Sequence, residues 1–183
     1  LSEACAAANV LQRRWYLPWA GAWSGAPFWN SANSLQATVD FMRVSGTRDF
    51  VGLVSHVHSL RPGEFIVVRS MGSYDDALWW CIAYLSAYDL IGEDGYLSSG
   101  RLIFDHVWRE AWDATPGPPA CGGGLWWSSN RRYKNAITNE LGLLASARLF
   151  ELTHEEEYLE RALDFWRWFN ASGMINGAHL VND

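Results

Sequence analysis

The helical character of the chain is clearest in residues 75–91, DDALWWCIAYLSAYDLI. After the two aspartates, apolar side chains occupy every face of the helix instead of one stripe: Leu78, Trp79, Trp80, Ile82, Ala83, Leu85 and Leu90. A helix that is apolar all round is buried on all sides. The stretch therefore predicts a central helix surrounded by other helices.

The same pattern returns 62 residues further along the chain. This shift aligns Ala83 with Ala145, Leu90 with Leu152, Glu93 with Glu155, Tyr96 with Tyr158 and Leu97 with Leu159. We therefore predict two copies of an αα-hairpin, Asp75–Trp112 and Ile137–Asn170, each with an apolar inner helix and an outer helix. The segment Ser31–Ser59 fits as a third, weaker copy.

The predicted fold is all-α, with αα-hairpin repeats that form part of an (α/α)6 toroid. Stacked hairpins give an open solenoid or a closed ring, and fully apolar inner helices favour the ring, which needs about twelve helices when complete. Residues 1–183 are therefore predicted to be a single domain that covers just over half of the barrel. A short isolated strand is expected at Phe65–Arg69 because the segment is β-branched. The predicted helices are Ser2–Trp15, Ser31–Val44, Arg48–Ser59, Asp75–Ile91, Tyr96–Trp112, Asn135–Leu152 and Glu155–Asn170.

The composition argues against several classes of protein. The chain has a net charge of −6 and no basic cluster, so nucleic acid is not an expected partner. No apolar run reaches the roughly 20 residues of a transmembrane helix. The unusual feature is the presence of 12 tryptophans in 183 residues. Indole rings pack in protein cores, but they also stack on the flat faces of pyranose rings, so the excess favours a glycan ligand.

The cysteines and histidines suggest no metal site. Three cysteines cannot all pair within one chain, and their spacing fits no zinc motif. Cys81 lies in the apolar helix and is predicted to be a buried free thiol. Cys121 is the better disulfide candidate, with Cys5 or a cysteine outside this sequence as its partner. His56 and His58 are two residues apart on a predicted helix and do not share a face.

The best candidates for catalytic residues are Asp75 and Asp76, which lie at the start of the central helix. A structural explanation exists, because acidic residues suit a first helical turn and Ser73 with Asp76 resembles a capping box. A catalytic explanation exists as well, because adjacent carboxylates repel and their pKa values separate. Glycoside hydrolysis uses such a pair: one carboxylate attacks or stabilises the anomeric carbon, and one carboxylic acid protonates the leaving oxygen. Neighbours in sequence can lie about 5–6 Å apart, which suits a retaining mechanism better than an inverting one.

Three further polar and aromatic clusters are predicted at the same end of the helices. Residues 121–127, CGGGLWW, combine glycines that allow close backbone approach with two indoles. Residues 134–141, KNAITNEL, begin the second inner helix and place Asn135 and Asn139 one turn apart. Residues 28–33, FWNSAN, again lie at a helix start. A flexible turn, an N-cap at Asn135 and simple solvation are the structural alternatives, but as a group the clusters predict one shared cleft.

Together these motifs resemble glycoside hydrolase family 76, the endo-α-1,6-mannanases of bacteria and fungi and related fungal cell-wall transglycosidases. The matching segments are Tyr74–Trp80, Cys121–Trp127, Lys134–Leu141 and Trp29–Asn33. The resemblance implies an (α/α)6 barrel, a retaining mechanism and α-1,6-linked mannan as substrate. It also implies that Asp75 is the nucleophile and Asp76 the general acid/base. Family members are longer than this chain, and their second half closes the barrel.

The resemblance also implies where substrate binds. The expected contacts come from the matching segments: Trp29, Asn33, Tyr74, Trp79, Gly123, Trp126, Trp127, Lys134, Asn135 and Asn139. The expected partner is α-mannan or another mannose-containing glycan, bound by a monomer outside the cell or at the cell wall, without metal or cofactor. Two alternatives stay open: a transglycosidase that uses the same carboxylates, and a non-catalytic mannan-binding module.

Overall fold

The computed structural model describes residues 2–26, 28–70, 72–115 and 122–182, and most of them are helical. The helices are α1 (Ser2–Val10), α2 (Phe28–Ser45), α3 (Val51–Leu60), α4 (Gly63–Arg69), α5 (Tyr74–Ile91), α6 (Asp94–Ala111), α7 (Ala136–Thr153) and α8 (Glu156–Ala171). A π-helical segment, Leu11–Trp15, extends α1. The strands β1 (Tyr16–Leu17) and β2 (Ala22–Trp23) then pair as an antiparallel hairpin in which Tyr16 lies opposite Trp23.

The central helix α5 is enclosed as its composition predicts. Ten of its 18 residues are buried, and it packs against α2, α6 and α7. In the outer helix α6, by contrast, the buried residues recur at intervals of three and four along one stripe: Tyr96, Ser99, Gly100, Ile103, Phe104, Val107 and Ala111. The two helices therefore form a hairpin with an apolar inner member and an amphipathic outer member.

The predicted hairpin repeat is present. Helix α5 begins at Tyr74 and α7 at Ala136, while α6 begins at Asp94 and α8 at Glu156, so each helix lies 62 residues before its counterpart. The hairpin α7–α8 packs through α7 on α5, and α2 packs on α5 as well. The prediction of an all-α fold built from αα-hairpins is confirmed.

The prediction of a strand at Phe65–Arg69 is wrong, because this segment lies in the short helix α4. Pro62, in an extended conformation, is the residue before the first turn, and the Gly63 amide donates to the Ser99 hydroxyl of α6 at 3.1 Å. Ile66 is fully buried. A helix satisfies its backbone groups internally, whereas a lone strand packed here would leave them unpaired. Tertiary packing on α6 thus overrides the β-branched composition.

The first predicted helix also differs from the structure, since the α-helix ends at Val10 and the chain continues to Trp15 with π-helical geometry. Within this wider turn Gln12 is buried, and its amide joins two other elements. It donates to the Thr38 hydroxyl of α2 at 2.8 Å and accepts from the Trp23 indole of β2 at 3.1 Å. The π segment therefore fixes the entry of the chain against α2.

Cys81 is fully buried and unpaired, as predicted, and burial raises the pKa of its thiol. Cys5 is an exposed free thiol, and Cys121, the predicted disulfide candidate, lies outside the described residues. None of the helices in the described ranges combines the length and apolarity needed to cross a bilayer.

The hairpin packing brings the starts of the inner helices together. The Trp80 indole of α5 donates to the Phe28 carbonyl at the first residue of α2, at 3.1 Å. Trp29 of α2, Asp75 of α5 and Ile137 of α7 all line one cleft. This end of the helix cluster is where the predicted site residues converge.

Candidate active site

The two carboxylates stand in the first turn of α5 and are both partly buried. The capping box suggested by Ser73 is not formed, because the Ser73 side chain makes no capping hydrogen bond. Instead, the Asp75 Oδ1 atom accepts from the backbone amide of Asp76 at 2.9 Å. The acidic pair is therefore not explained by reciprocal capping.

The environment of Asp76 favours its neutral form. Burial, and secondarily the negative charge of Asp75, raise the pKa of Asp76 to about 6. A carboxyl group with this pKa holds its proton in mildly acidic solution and can release it near neutrality. That is the range in which a general acid that later acts as a base operates best.

Asp75 is held by the loop that precedes α7. The Trp127 Nε1 atom donates to the Asp75 Oδ2 atom at 3.1 Å. The backbone of the same loop residue is also bound to α5, because the Tyr74 amide donates to the Trp127 carbonyl at 2.8 Å. The loop and the first turn of α5 thus form one connected unit at the base of the cleft.

The cleft above the carboxylates has a volume of about 560 Å³. Trp29 and Trp79 stack side by side within it, with ring centroids 6.4 Å apart and planes inclined by 29°. Three indoles and two carboxylates thus share one opening, an arrangement suited to stacking on sugar rings and to acid/base chemistry. The lining residues are Trp29, Ser73, Asp75, Asp76, Trp79, Trp127 and Ile137.

A larger cavity of about 720 Å³ lies between α1 and α2, and its chemistry is different. Its lining is mainly alanine and other apolar side chains, and Asp40 is the carboxylate among them. Among the described residues that line it there is no second ionisable group and no indole, so they do not provide a pair of groups for acid/base chemistry. The smaller, polar cleft is therefore the better candidate for an active site.

Lys134, predicted to contact substrate, is committed to the loop in this structure. Its ammonium bonds to the Asp113 Oδ2 atom and to the Gly123 carbonyl, both at 2.6 Å, and lies 4.5 Å from the centroid of the Trp126 ring. Both charged side chains are only 8% exposed. Burial opposes ionisation of Asp113, but hydrogen bonds from Lys134 and Thr115 and the charge of Lys134 outweigh it and lower the pKa of Asp113.

The glycines of the loop serve packing as well as flexibility. Gly123 and Gly124 adopt φ values of +86° and +74°, a region that favours glycine. A methyl group on Gly124 would overlap with the Trp168 ring of α8. The Gly123 carbonyl accepts a hydrogen bond from Lys134. The loop is thus a packed element that lies against α8 and carries Trp127 at its end.

The two predicted amides act at the start of α7. Asn135 is the N-cap, with its side chain accepting from the Thr138 amide at 3.3 Å. Asn139 is fully buried: its Oδ1 atom accepts from the Leu125 amide at 2.6 Å, and its Nδ2 atom donates to the Leu125 and Asn135 carbonyls. Neither amide lines the cleft. Asn139 instead fixes the loop to α7 through Leu125, and Asn135 caps the first turn of that helix.

The remaining predicted residues divide between the cleft and its surroundings. Tyr74 is buried and is not among the residues that line the cleft, and burial raises the pKa of its hydroxyl. Asn33 is partly buried one turn beyond Trp29 on α2 and is not among the lining residues. Ile137 was not predicted as a site residue, nor was Asp113, the partner of Lys134. Asp113 could not be identified from sequence because the ion pair joins positions 21 residues apart.

The sequence was also compared with models of known protein families. Residues 11–183 match the model of glycosyl hydrolase family 76. The chain belongs to this family.

Relatives of known classification extend the comparison. The mannan endo-1,6-alpha-mannosidase DFG5 of Saccharomyces cerevisiae is 31% identical over 97 residues, which cover 50% of this chain and 19% of that protein. The mannan endo-1,6-alpha-mannosidase DCW1 of the same yeast is 29% identical over 117 residues, covering 57% of this chain and 25% of that protein. The chain therefore matches only part of these family 76 proteins.

Solved structures establish the shared fold. An alpha-1,6-mannanase of Salegentibacter superimposes with a TM-score of 0.79 at 20% identity, over 96% of this chain and 52% of the mannanase. A protein of Listeria innocua gives a TM-score of 0.82 at 19% identity, over all of this chain and 55% of its own length. This family 76 chain thus spans about half the length of the structures that it matches.

The first testable consequence is the titration of Asp76. The folded-state pKa of about 6 lies above the ordinary 3.8, so the folded chain binds this proton more tightly than the unfolded chain. This tighter binding of the proton stabilises the folded state. The contribution is fully present below the ordinary pKa and is lost as the pH rises through about 6. We expect the carboxyl ¹³C resonance of Asp76 to titrate near this pH.

The matched variant for this titration is Asp75→Asn, which removes the neighbouring charge. We expect the pKa of Asp76 to fall in this variant but to stay above 3.8, because burial is the larger cause of the shift. The Asp76→Asn variant identifies the resonance by its loss. A pKa that returned fully to 3.8 in Asp75→Asn would show that the neighbouring charge, and not burial, is responsible.

Proposed function

We propose that this chain is part of a retaining, endo-acting glycoside hydrolase that cleaves α-1,6-mannan, with Asp75 as nucleophile and Asp76 as general acid/base. One observation supports this above others. Two consecutive carboxylates share an indole-lined cleft, and their surroundings differ: Asp75 accepts hydrogen bonds at both oxygens, while Asp76 has a pKa of about 6.

The proposed reaction has two steps. In the first, an Asp75 oxygen bonds to the anomeric carbon while the glycosidic C–O bond breaks and Asp76 gives its proton to the departing oxygen. In the second, Asp76, now ionised, takes a proton from water as the water oxygen attacks the same carbon and releases Asp75. Two inversions give net retention, and Asp76 regains its proton.

The substrate class is supported by the cleft and by relatives. Trp29 and Trp79 offer aromatic faces beside the carboxylates, which suits the C–H faces of mannose rings. An inactive variant of the Salegentibacter alpha-1,6-mannanase, with two consecutive aspartates changed to asparagine, is known in complex with alpha-1,6-mannotriose. We assign the same ligand class to this cleft.

We further propose that residues 1–183 are part of a single toroid domain and that the rest of this domain completes the cleft. The matched structures are about twice as long as this chain, which covers 52% and 55% of two of them. We also propose that the enzyme acts as a monomer, outside the cell or at a cell wall where a mannan substrate would be met. Activity therefore has to be measured in the protein at its full natural length.

The test is incubation of the full-length protein with α-1,6-mannan oligosaccharides, followed by proton NMR during the first turnovers. We expect shorter oligosaccharides whose new reducing ends are α-anomers at first and then mutarotate. Initial β-anomers would contradict the retaining mechanism. Longer oligosaccharides without net hydrolysis would identify transfer to a sugar hydroxyl instead of water. Binding without any product would identify a non-catalytic mannan-binding module.

A further inference from the structure

Trp127 makes two kinds of contact with the catalytic turn of α5. Its backbone carbonyl accepts from the Tyr74 amide at 2.8 Å, and its indole Nε1 atom donates to the Asp75 Oδ2 atom at 3.1 Å. The backbone contact would exist with any residue at this position. The indole contact needs tryptophan, because phenylalanine has no donor and the hydroxyl of tyrosine lies elsewhere on the ring.

The indole contact completes the fixation of the Asp75 carboxylate. Its Oδ1 atom accepts from the Asp76 amide at 2.9 Å, so each oxygen of Asp75 has a donor on a different element. Two donors on the two oxygens restrict rotation of the carboxylate plane. Hydrogen bonds of this kind also favour the ionised form of a carboxylate, which is the form that attacks.

The indole itself is held in place on its other side. The Trp127 amide donates to the Tyr133 carbonyl at 2.8 Å, and the two rings pack edge to face with centroids 6.3 Å apart. Trp127 is 36% exposed, so one part of its ring also faces the cleft. Its ring thus packs on Tyr133, and its N–H is directed at Asp75.

We propose that Trp127 is a positioning residue for Asp75, and that its indole N–H keeps the carboxylate oriented and ionised for attack. This inference rests on the proposed function, in which Asp75 is the nucleophile. It assigns the loop of residues 122–127 a part in the chemical step in addition to sugar binding. A residue that only stacked on sugar would affect substrate affinity and would leave the nucleophile unchanged.

The decisive variant is Trp127→Phe, which keeps an aromatic ring and both backbone hydrogen bonds and removes the donor. We expect kcat to fall about tenfold, as for loss of a hydrogen bond to a charged group, while KM changes little. The acid limb of the kcat/KM profile is expected to move to higher pH, because the ionised carboxylate has lost a donor. A urea unfolding midpoint close to that of the unmodified protein checks that the fold is intact.

The matched control is Trp79→Phe, which alters another indole of the cleft without touching the bond to Asp75. We expect this variant to raise KM and to leave the acid limb in place. The same pattern in Trp127→Phe, with KM raised and the acid limb unmoved, would overturn the positioning role.

A spectroscopic readout separates this inference from the proposed function. The indole N–H resonance of Trp127 is expected to shift when Asp75→Ala removes its acceptor. The indole resonance of Trp80, whose N–H donates to the Phe28 carbonyl, provides the internal reference and is expected to stay. If the resonance shifts in Asp75→Ala but the unmodified full-length protein cleaves no mannan, the contact is supported and the proposed function is rejected. If the resonance stays unshifted in Asp75→Ala while the unmodified protein cleaves mannan, only the positioning role is rejected.

Discussion

The Asp75→Asn protein is expected to lose at least about 10⁴-fold in kcat on α-1,6-mannan oligosaccharides while still binding them. Asparagine preserves the shape of the side chain, and its oxygen can still accept from the Trp127 indole or the Asp76 amide. An amide oxygen, however, does not form the glycosyl ester that the proposed first step requires. Steady-state kinetics of the full-length protein measure the loss, and calorimetric titration with mannotetraose measures the retained binding.

The Asp76→Asn variant separates the two carboxylate roles. Removal of a general acid typically costs about 10²- to 10⁴-fold, and the loss depends on how much help the leaving group needs. An aryl α-mannobioside whose phenol departs without protonation is therefore expected to recover the first step in Asp76→Asn but not in Asp75→Asn. Recovery in both variants, or in Asp75→Asn alone, would contradict the assignment of roles.

A control for both variants is Asp164→Asn on α8. Asp164 pairs with Arg167 on the exposed face of that helix, and its side chain is 43% exposed. We expect kcat and KM to match those of the unmodified protein. If Asp75→Asn, by contrast, had the same kcat as the unmodified protein, Asp75 could not be the nucleophile.

The inner helices and the carboxylate pair were predictable from sequence because their signals are local. A helix that is apolar on every face has to be central, and α5 is central. Carboxylates in the first turn of a buried helix need access to solvent, which a cleft provides, and Asp75 and Asp76 line such a cleft. The 62-residue repeat likewise predicts α7 as the neighbouring inner helix, and α7 packs on α5.

The division of labour among the polar residues was not predictable, because it depends on contacts between distant positions. The sequence predicts the same role for Asn139 and Trp127, which is contact with substrate in one shared cleft. Yet Asn139 is fully buried and bonded to Leu125, whereas Trp127 reaches Asp75. Nothing in the local sequence states that Lys134 pairs with Asp113. Composition likewise misled at Phe65–Arg69, where packing on α6 determines a helix.

The Lys134→Met variant is expected to destabilise the protein by about 3 kcal/mol, the range for removing one partner of a buried ion pair. Methionine replaces most of the aliphatic stem, so the main change is that the buried Asp113 carboxylate loses its cation. The Gly123 carbonyl loses a donor as well. Urea denaturation of the full-length protein at pH 7 measures the change in the free energy of unfolding.

A double-mutant cycle tests whether the ion pair causes this loss. In Asp113→Asn the Oδ1 acceptor for Thr115 is kept, so Lys134→Met combined with Asp113→Asn is expected to be more stable than Lys134→Met alone. The surface control Arg167→Met removes a cation that is 69% exposed and is expected to change stability by less than about 1 kcal/mol. Equal losses in Lys134→Met and in the double variant would assign the effect to packing.

The pH dependence of Lys134→Met provides an independent check, because the pKa of Asp113 is lowered in the folded protein. A group with a lowered folded-state pKa contributes stability above its ordinary pKa and loses that contribution as the pH falls through the folded value. The difference between the unmodified protein and Lys134→Met is therefore expected to narrow in acid, where Asp113 becomes neutral in both. Because the same loop ends at Trp127, the variant is also expected to broaden the indole resonance of Trp127. A difference that stayed constant from pH 7 into acid would mean that the charge of Asp113 is not what Lys134 stabilises.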